Sequence, residues 1–348
     1  MFPLECASTI PSAWYFDPGH HRRELDRVIR RTWQQVALAR DLESAGDYVA
    51  TELAGEPIVL VRGRDGATRA FYNVCRHRAG VVAKDAGCAK AFSCTYHGWS
   101  YGLDGALLAA PEMEGVENFA NADHGLVSIP CETWGPLVFV NLDPEATPLL
   151  EALGPMPAKV EATSFLDMEF GVRVPYTIAC NWKVYVDNYL EGYHIPKAHP
   201  GLNKVLDYRS YTVKTDGNVI TQGGPDRLPP GGKRRAGVEA SRYLYLWLFP
   251  NFMINISPDY AQTNVILPLG PESTLCIFDY FFHADRSGAA ARRKKSIAWS
   301  DEIQQEDIGL CESVQKNLHS ASYTVGRYSA KRENGVYHFH EMLRKAVG

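Results

Sequence analysis

The 348-residue sequence contains no run of eighteen apolar residues, so no segment has the make-up of a bilayer-crossing helix. It opens on MFPLECASTIPSAWYF, without the basic start and apolar stretch of a secretory leader, which sets the expectation of a cytoplasmic protein. There is no basic excess either: 36 Lys and Arg stand against 40 Asp and Glu, for a formal charge of −4. Such a chain has no overall field to attract nucleic acid or anionic lipid, and neither partner is expected. Internal repeats and low-complexity tracts are lacking as well. A disulfide framework is lacking too: eight cysteines could suggest one, but Cys6, Cys88, Cys131, Cys180, Cys276 and Cys311 are scattered without pattern or secretory leader and read mostly as reduced thiols.

What is present is an ordinary globular composition, 45% hydrophobic and 22% charged, in a chain long enough for two domains. From Asp17, DPGHHRRELDRVIRRTWQQ reads as a turn and an amphipathic helix, with Leu25, Val28, Ile29 and Trp33 at one-face spacing. Short β-type runs follow from about Leu42 to Asp143 (EPIVLVRG, TRAFYNV, AFSCTYHGW, PLVFVNL), cut by Gly, Asp-Gly and Pro. After the Pro, Ala and Gly around residues 154–157, strands alternate with two helical segments, roughly Trp182 to Tyr193 and Ala289 to Leu318. The stretch 223–237, GGPDRLPPGGKRRAG, has the composition of a mobile loop. The expected class is α+β: a helical segment over 1–41 packing on the C-terminal domain, a small all-β domain over 42–153, and a domain with a large antiparallel sheet over 154–348.

Two pairs of metal-ligand residues stand out in the β region. Cys75 and His77 are two apart, Cys94 and His97 three apart, and sixteen residues separate the pairs. Two thiolates and two imidazoles from neighbouring turns suit a structural zinc ion. They also suit a [2Fe–2S] cluster of the kind in which two Cys bind one iron and two His the other. Zinc fingers usually pair like with like, whereas each pair here mixes one Cys and one His, as required when each turn serves both irons. Gly80, Gly98 and Trp99 suit backbone wrapped closely round such a cluster.

A second group lies in NWKVYVDNYLEGYHIPKAHPGL. Asp187, Glu191 and His194 stand at i, i+4 and i+7, which on a continuous helix places them on one face. His199, five further on, would point about 140° away, unless Pro196 ends the helix at Ile195 and the chain brings it back. Two His and a carboxylate on one face of iron(II) leave positions open for O₂ and substrate. In the late helix Ile303, Asp307, Leu310, Cys311, Val314 and Leu318 form one stripe, so Asp307 is an acid on an apolar face. A buried carboxylate asks for a cation, which nominates Asp307 as the third ligand and Glu306 as the fallback. An ion pair with Lys or Arg would satisfy it equally. The strand SRYLYLWLFPNF places Tyr243, Tyr245, Trp247 and Phe249 on one face, either as core or as aromatic wall for a methylated cation.

CRHRAG with CTYHGWSYGLDG resembles the cluster-binding motif of the Rieske oxygenases, and NWKVYVDNYLEGYHIPKAH the mononuclear-iron motif of the same family. With HGWSYGLDGALLAAPEMEGVENF and QEDIGLCESVQKNL, the likeness spans essentially the whole chain and is nearest to the choline, glycine-betaine and carnitine branch. The resemblance implies an N-terminal all-β Rieske domain and a C-terminal catalytic domain, helix-grip-like, with a large antiparallel sheet flanked by helices. It implies a [2Fe–2S] cluster on Cys75, His77, Cys94 and His97, and mononuclear Fe(II) on His194, His199 and Asp307. Glu191 would correspond to the acid bridging that iron and the cluster of a neighbouring subunit, with Asp187 orienting it or taking its place. The expected assembly is a homotrimer fed by an NAD(P)H-dependent flavin or iron–sulfur reductase and using O₂. The expected reaction is hydroxylation of a C–H next to a quaternary or methylated nitrogen, by N-demethylation or choline-type oxidation, with Tyr189, Tyr193 and Trp247 in the pocket. The alternatives are an aromatic-ring hydroxylating or O-demethylating α-subunit, and an electron carrier, which would need only the β domain.

Overall fold

The computed structural model describes residues 2–227, 243–257, 259–284 and 289–348. The chain forms two compact units: Met1–Val28 with Leu153–Gly348, and Ile29–Ala152.

In the smaller unit the β-type runs become three antiparallel sheets. The five-stranded one centres on Asp47–Leu53 and Glu56–Arg62, which pair from Tyr48↔Val61 to Leu53↔Glu56. Its apolar alternation buries Val59, Val61 and Phe71 in one cluster with Phe92, Trp99 and Tyr101. The expected N-terminal helix is shorter than its apolar spacing suggests: it runs over Pro18–Arg27, capped by Asp17. Gln34–Leu38 is instead a strand paired with Leu137–Val140, because backbone pairing to a buried partner overrides helical periodicity.

The larger unit carries a seven-stranded antiparallel sheet. Its order is Glu169–Ile178, Ser273–Phe282, Ala261–Gly270, Phe252–Ile256, Tyr243–Leu248, Val219–Gly224, Thr212–Asp216. Gly223 and Gly224 of the expected mobile loop close the Val219–Gly224 strand, while 228–237 of that loop lie outside the described residues. Three helices pack with this sheet: Trp182–Tyr189, the 30-residue Ala289–Leu318, and Asn334–Val347. The long helix has the predicted bounds, but its apolar stripe is only partly the buried one. Leu310 and Val314 are exposed, whereas Ser300, Gln304, Cys311, Gln315 and Leu318 are buried. The buried face holds amides whose oxygens find partners: Tyr185 Oη donates to Gln304 Oε1 (2.6 Å), and the Asn181 N–H donates to Gln315 Oε1 (2.9 Å).

A buried ion pair joins the N-terminal helix to Trp182–Tyr189. Lys183 Nζ donates to Glu24 Oε2 (2.8 Å), Trp182 Nε1 donates to the same oxygen (2.9 Å), and both charged residues are fully buried. Among the described residues no helix is long and apolar enough to cross a membrane.

Candidate metal sites

In the small unit the two Cys/His pairs sit on matching turns. The Ala79 N–H donates to Cys75 O and the Gly98 N–H to Cys94 O, each four residues on, and each turn closes with a positive φ, 56° at Ala79 and 72° at Gly98. The Cys75 N–H then donates to Gly80 O (2.7 Å) and the Cys94 N–H to Trp99 O (2.8 Å). Gly80 is required by space: a Cβ there would lie 2.6 Å from Cys94 Sγ. Cys75 and Cys94 are 3% and 2% exposed, while His77 and His97 are exposed, their ring centroids 4.6 Å apart. Tyr101 Oη lies 3.2 Å from Cys75 Sγ and accepts the Arg76 N–H (2.9 Å). Two sulfurs inside and two imidazoles at the surface form an asymmetric donor set, suited to a cluster whose histidine-bound iron is the one nearer solvent.

In the large unit the second group is built by a break in the chain rather than by one continuous helix. Trp182–Tyr189 ends with Leu190, whose N–H reaches Val186 O, so Glu191 and His194 do not share the helical face of Asp187. Gly192 follows against the Tyr211 ring, where a Cβ would come within 2.7 Å. Glu191 Oε2 accepts from the N–H groups of Tyr193 and His194 (3.1 Å for the latter), shaping the loop, while its Oε1 meets His194 Nδ1 at 2.5 Å. Pro196 stands at the start of a short helix, Ile195–Ala198, so it begins a helical turn rather than ending one. That turn returns His199 to His194, Nε2 to Nε2 at 3.1 Å.

Asp307, half-buried on the long helix, completes the group. Its Oδ1 is 3.0 Å from His199 Nε2 and 3.8 Å from His194 Nε2, and ligand atoms of the three residues all fall within 4.8 Å of one another. Glu306 is not a member: its Oε2 lies 2.7 Å from His199 Nδ1, on the far side of the ring. Asn188 Nδ2 donates to Asp307 Oδ1 (2.6 Å). Both imidazoles therefore present Nδ1 to a carboxylate. With those protons donated outward, both Nε2 lone pairs face each other and a carboxylate, an arrangement that is repulsive without a cation between them. Burial opposes a proton on His199, but the hydrogen bond and charge of Asp307, with those of Glu306, outweigh it and raise the pKa above its ordinary value. The donor set fits iron(II).

Asp187 is elsewhere. Its oxygens are taken by Tyr15 Oη (2.6 Å) and His340 Nε2 (2.9 Å), so it ties the N-terminal segment and the C-terminal helix to Trp182–Tyr189 and neither orients nor replaces Glu191. The reason is the helix end at Leu190: once the helix stops, i and i+4 no longer coincide.

Beside the three ligand candidates is a cavity of ≈ 130 Å³ walled by Tyr211, Tyr243, Tyr245, Tyr260 and Trp299. Tyr189 lines it too, its Oη donating to Asn255 Oδ1 (2.7 Å). Burial pushes the Tyr189 and Tyr245 phenols well above their usual pKa, so both rings remain neutral. Two expected pocket residues are not there. Tyr193 is 56% exposed, turned outward by the loop that Glu191 and Gly192 shape. Trp247 shares the face of Tyr245 but lies two residues, ~7 Å, further along the strand. It is fully buried against Phe249 and Phe339 in the core instead. Sequence reasoning had not singled out Asn188 or Gln304. Their one available signal was an uncharged amide one helical turn, or one register step, from a nominated ligand.

Comparison with known proteins bears directly on these sites. Residues 32–120 match the Rieske [2Fe-2S] domain, and residues 165–348 the ring hydroxylating alpha subunit (catalytic domain). The chain is 39% identical to the chloroplastic choline monooxygenase of Arabidopsis thaliana, over 98% of this chain and 83% of that protein. It is 37% identical to the carnitine monooxygenase oxygenase subunit of Escherichia coli K12, over 97% and 93%. Its fold superposes with a TM-score of 0.86, at 29% identity over 98% and 96% of the two chains, on a quaternary ammonium Rieske monooxygenase. That structure is described as revealing carnitine oxidation and inter-subunit electron transfer.

Proposed function

The chain belongs to the Rieske-type ring-hydroxylating α-subunit family, and we propose that it hydroxylates a C–H bond next to the nitrogen of a small quaternary or methylated amine. Cys75 and Cys94 would hold one iron of the cluster and His77 and His97 the other, while His194, His199 and Asp307 would hold the mononuclear iron. The chemistry those groups supply when bound is one-electron storage and O₂ activation, for the sum R–H + O₂ + 2 e⁻ + 2 H⁺ → R–OH + H₂O.

The observation that carries the reading is that His194, His199 and Asp307 converge on the wall of an aromatic cavity. The π-faces of Tyr243, Tyr245, Tyr260 and Trp299 offer a methylated ammonium group about 0.5–2 kcal/mol per good contact, without a counter-charge that would demand desolvation. Glu306 and Glu191 hold the two imidazoles in the tautomer that exposes Nε2.

Electrons come from a reductase, for which an NAD(P)H-dependent flavin or iron–sulfur protein is the fitting class. The exposed edges of His77 and His97 suit transfer to an outside acceptor, and Glu191, already bonded to His194, is the natural receiver when that acceptor is a second copy of the chain. A homotrimer, in which each subunit's cluster serves its neighbour's iron, is the assembly that the family resemblance implies.

The test is anaerobic metal analysis followed by turnover. Three irons per chain are expected, together with reductase-dependent O₂ uptake stimulated by trimethylammonium compounds and not by benzoate or phenols, and absent in His194→Ala. Two irons per chain, or stimulation by phenols alone, would refute the assignment.

A further inference from the structure

Three buried amides on the cavity wall lack a protein partner for one end. Gln262 and Asn264 stand two apart on Ala261–Gly270 and so share a face, with Asn264 also paired in register with Phe278 of the next strand. Gln304 comes from the long helix, one turn before Asp307. All three line the cavity and are no more than 3% exposed. Gln262 Nε2, Gln304 Nε2 and Asn264 Oδ1 have no hydrogen-bond partner among the described residues. Buried polar atoms in native proteins are almost always paired, so three orphans on side chains that line one cavity point to a ligand group that completes them. Gln304 is the best defined: Tyr185 Oη donates to its Oε1 (2.6 Å), which leaves Nε2 as the free end. Asn255, directly across from Gln262 in the sheet, is already engaged by Tyr189 and is not part of the set.

We propose that Gln262, Asn264 and Gln304 determine specificity by holding an uncharged hydroxyl on the substrate's tail. The inference rests on the quaternary-amine reading above and adds to it which amine is preferred. Two N–H donors and one C=O acceptor match a hydroxyl, which accepts two hydrogen bonds and donates one. A carboxylate only accepts, so it would set its charge against the lone pairs of Asn264 Oδ1, and among the described residues no Lys or Arg lines the cavity to offset that. A plain alkyl tail would leave all three amides unpaired. Turning the Asn264 amide over would make three donors and favour the carboxylate, an arrangement the experiment distinguishes.

Calorimetric titration of the iron-loaded holoenzyme without O₂ compares four ligands with one head group. These are choline, n-propyltrimethylammonium (CH₃ in place of OH), trimethylglycine (carboxylate tail) and tetramethylammonium (no tail). Choline is expected to bind about 10-fold or more tightly than both n-propyltrimethylammonium and trimethylglycine. In Gln304→Met and Gln262→Met the advantage of choline over the propyl compound shrinks to within about 3-fold while the propyl compound's own affinity is kept, a selective change that general damage to the fold would not produce. Equal binding of choline and the propyl compound, tighter binding of trimethylglycine, or an equal loss for all ligands in the variants would overturn the assignment. If tetramethylammonium and its three relatives all fail to bind, the quaternary-amine reading itself is wrong and this inference falls with it.

Discussion

Replacing Glu306 by alanine isolates the contribution of an outer carboxylate to the iron site. Glu306 Oε2 lies 2.7 Å from His199 Nδ1, and the His199 side chain is 2% exposed while that of Glu306 is 32% exposed. A hydrogen bond to a charged acceptor contributes about 1.5–3 kcal/mol, and the exposure of Glu306 argues for the lower half of that range. At 1.4 kcal/mol per decade, about 1.5–2 kcal/mol corresponds to roughly 10–30-fold weaker iron(II) binding, within the 10–100-fold typical of such partners. Glu191 would cost more but tests less cleanly, because the same side chain also holds the backbone N–H groups of Tyr193 and His194. The assay is anaerobic competition for iron(II) with a chromogenic chelator, with cluster absorbance as an internal control in the other unit. Glu306→Gln keeps an acceptor and loses the charge, so its affinity is expected between wild type and Glu306→Ala. Affinity unchanged within about 2-fold in Glu306→Ala, or indistinguishable alanine and glutamine variants, would refute the orienting role.

Gly80→Ala forces a methyl group toward Cys94 Sγ, so the variant is expected to be purified with little visible iron–sulfur absorption; full absorption would show that the turn can move aside. Burial pushes the Glu24 carboxyl up, yet the Lys183 charge and the hydrogen bonds from His20, Lys183 and Trp182 outweigh it and hold its pKa below the ordinary value. Its stabilisation is therefore complete above an unfolded-state pKa of about 4.3 and is lost as pH falls through the lower folded value. Glu24→Gln, which strands a buried ammonium, should cost about 3–5 kcal/mol at neutral pH in chemical denaturation and flatten the acid limb; a wild-type acid limb in the variant would contradict this. Trp247→Ala should lower stability by about 3–5 kcal/mol through a core cavity. Tyr245→Ala should instead weaken amine binding, and the opposite division of effects would return Trp247 to the pocket.

The two cluster turns were legible because their chemistry is local. Cys75 with His77 and Cys94 with His97 need only a few residues of backbone each, and glycine at position 80 answers a clash within that same small assembly. The strands and the bounds of Ala289–Leu318 were legible for a similar reason, since periodicity over neighbouring residues records where a regular element runs. It does not record what covers it. The apolar stripe of the long helix proved partly exposed and an amide-rich face buried, because Tyr185 and Asn181 arrive from distant segments to pair with Gln304 and Gln315.

The amino-acid order alone therefore determined which ligand types recur at which spacings, and hence the two candidate metal sites, the α+β class and the Rieske-type family. Tertiary structure decided the rest. The helix end at Leu190 separated Asp187 from Glu191, the position of Trp247 along its strand removed it from the cavity, and Glu306 came to lie behind His199 instead of beside Asp307. Each of these depends on a direction in space, and a side chain's direction is set by where its backbone turns and by which remote groups satisfy it, neither of which residue spacing encodes.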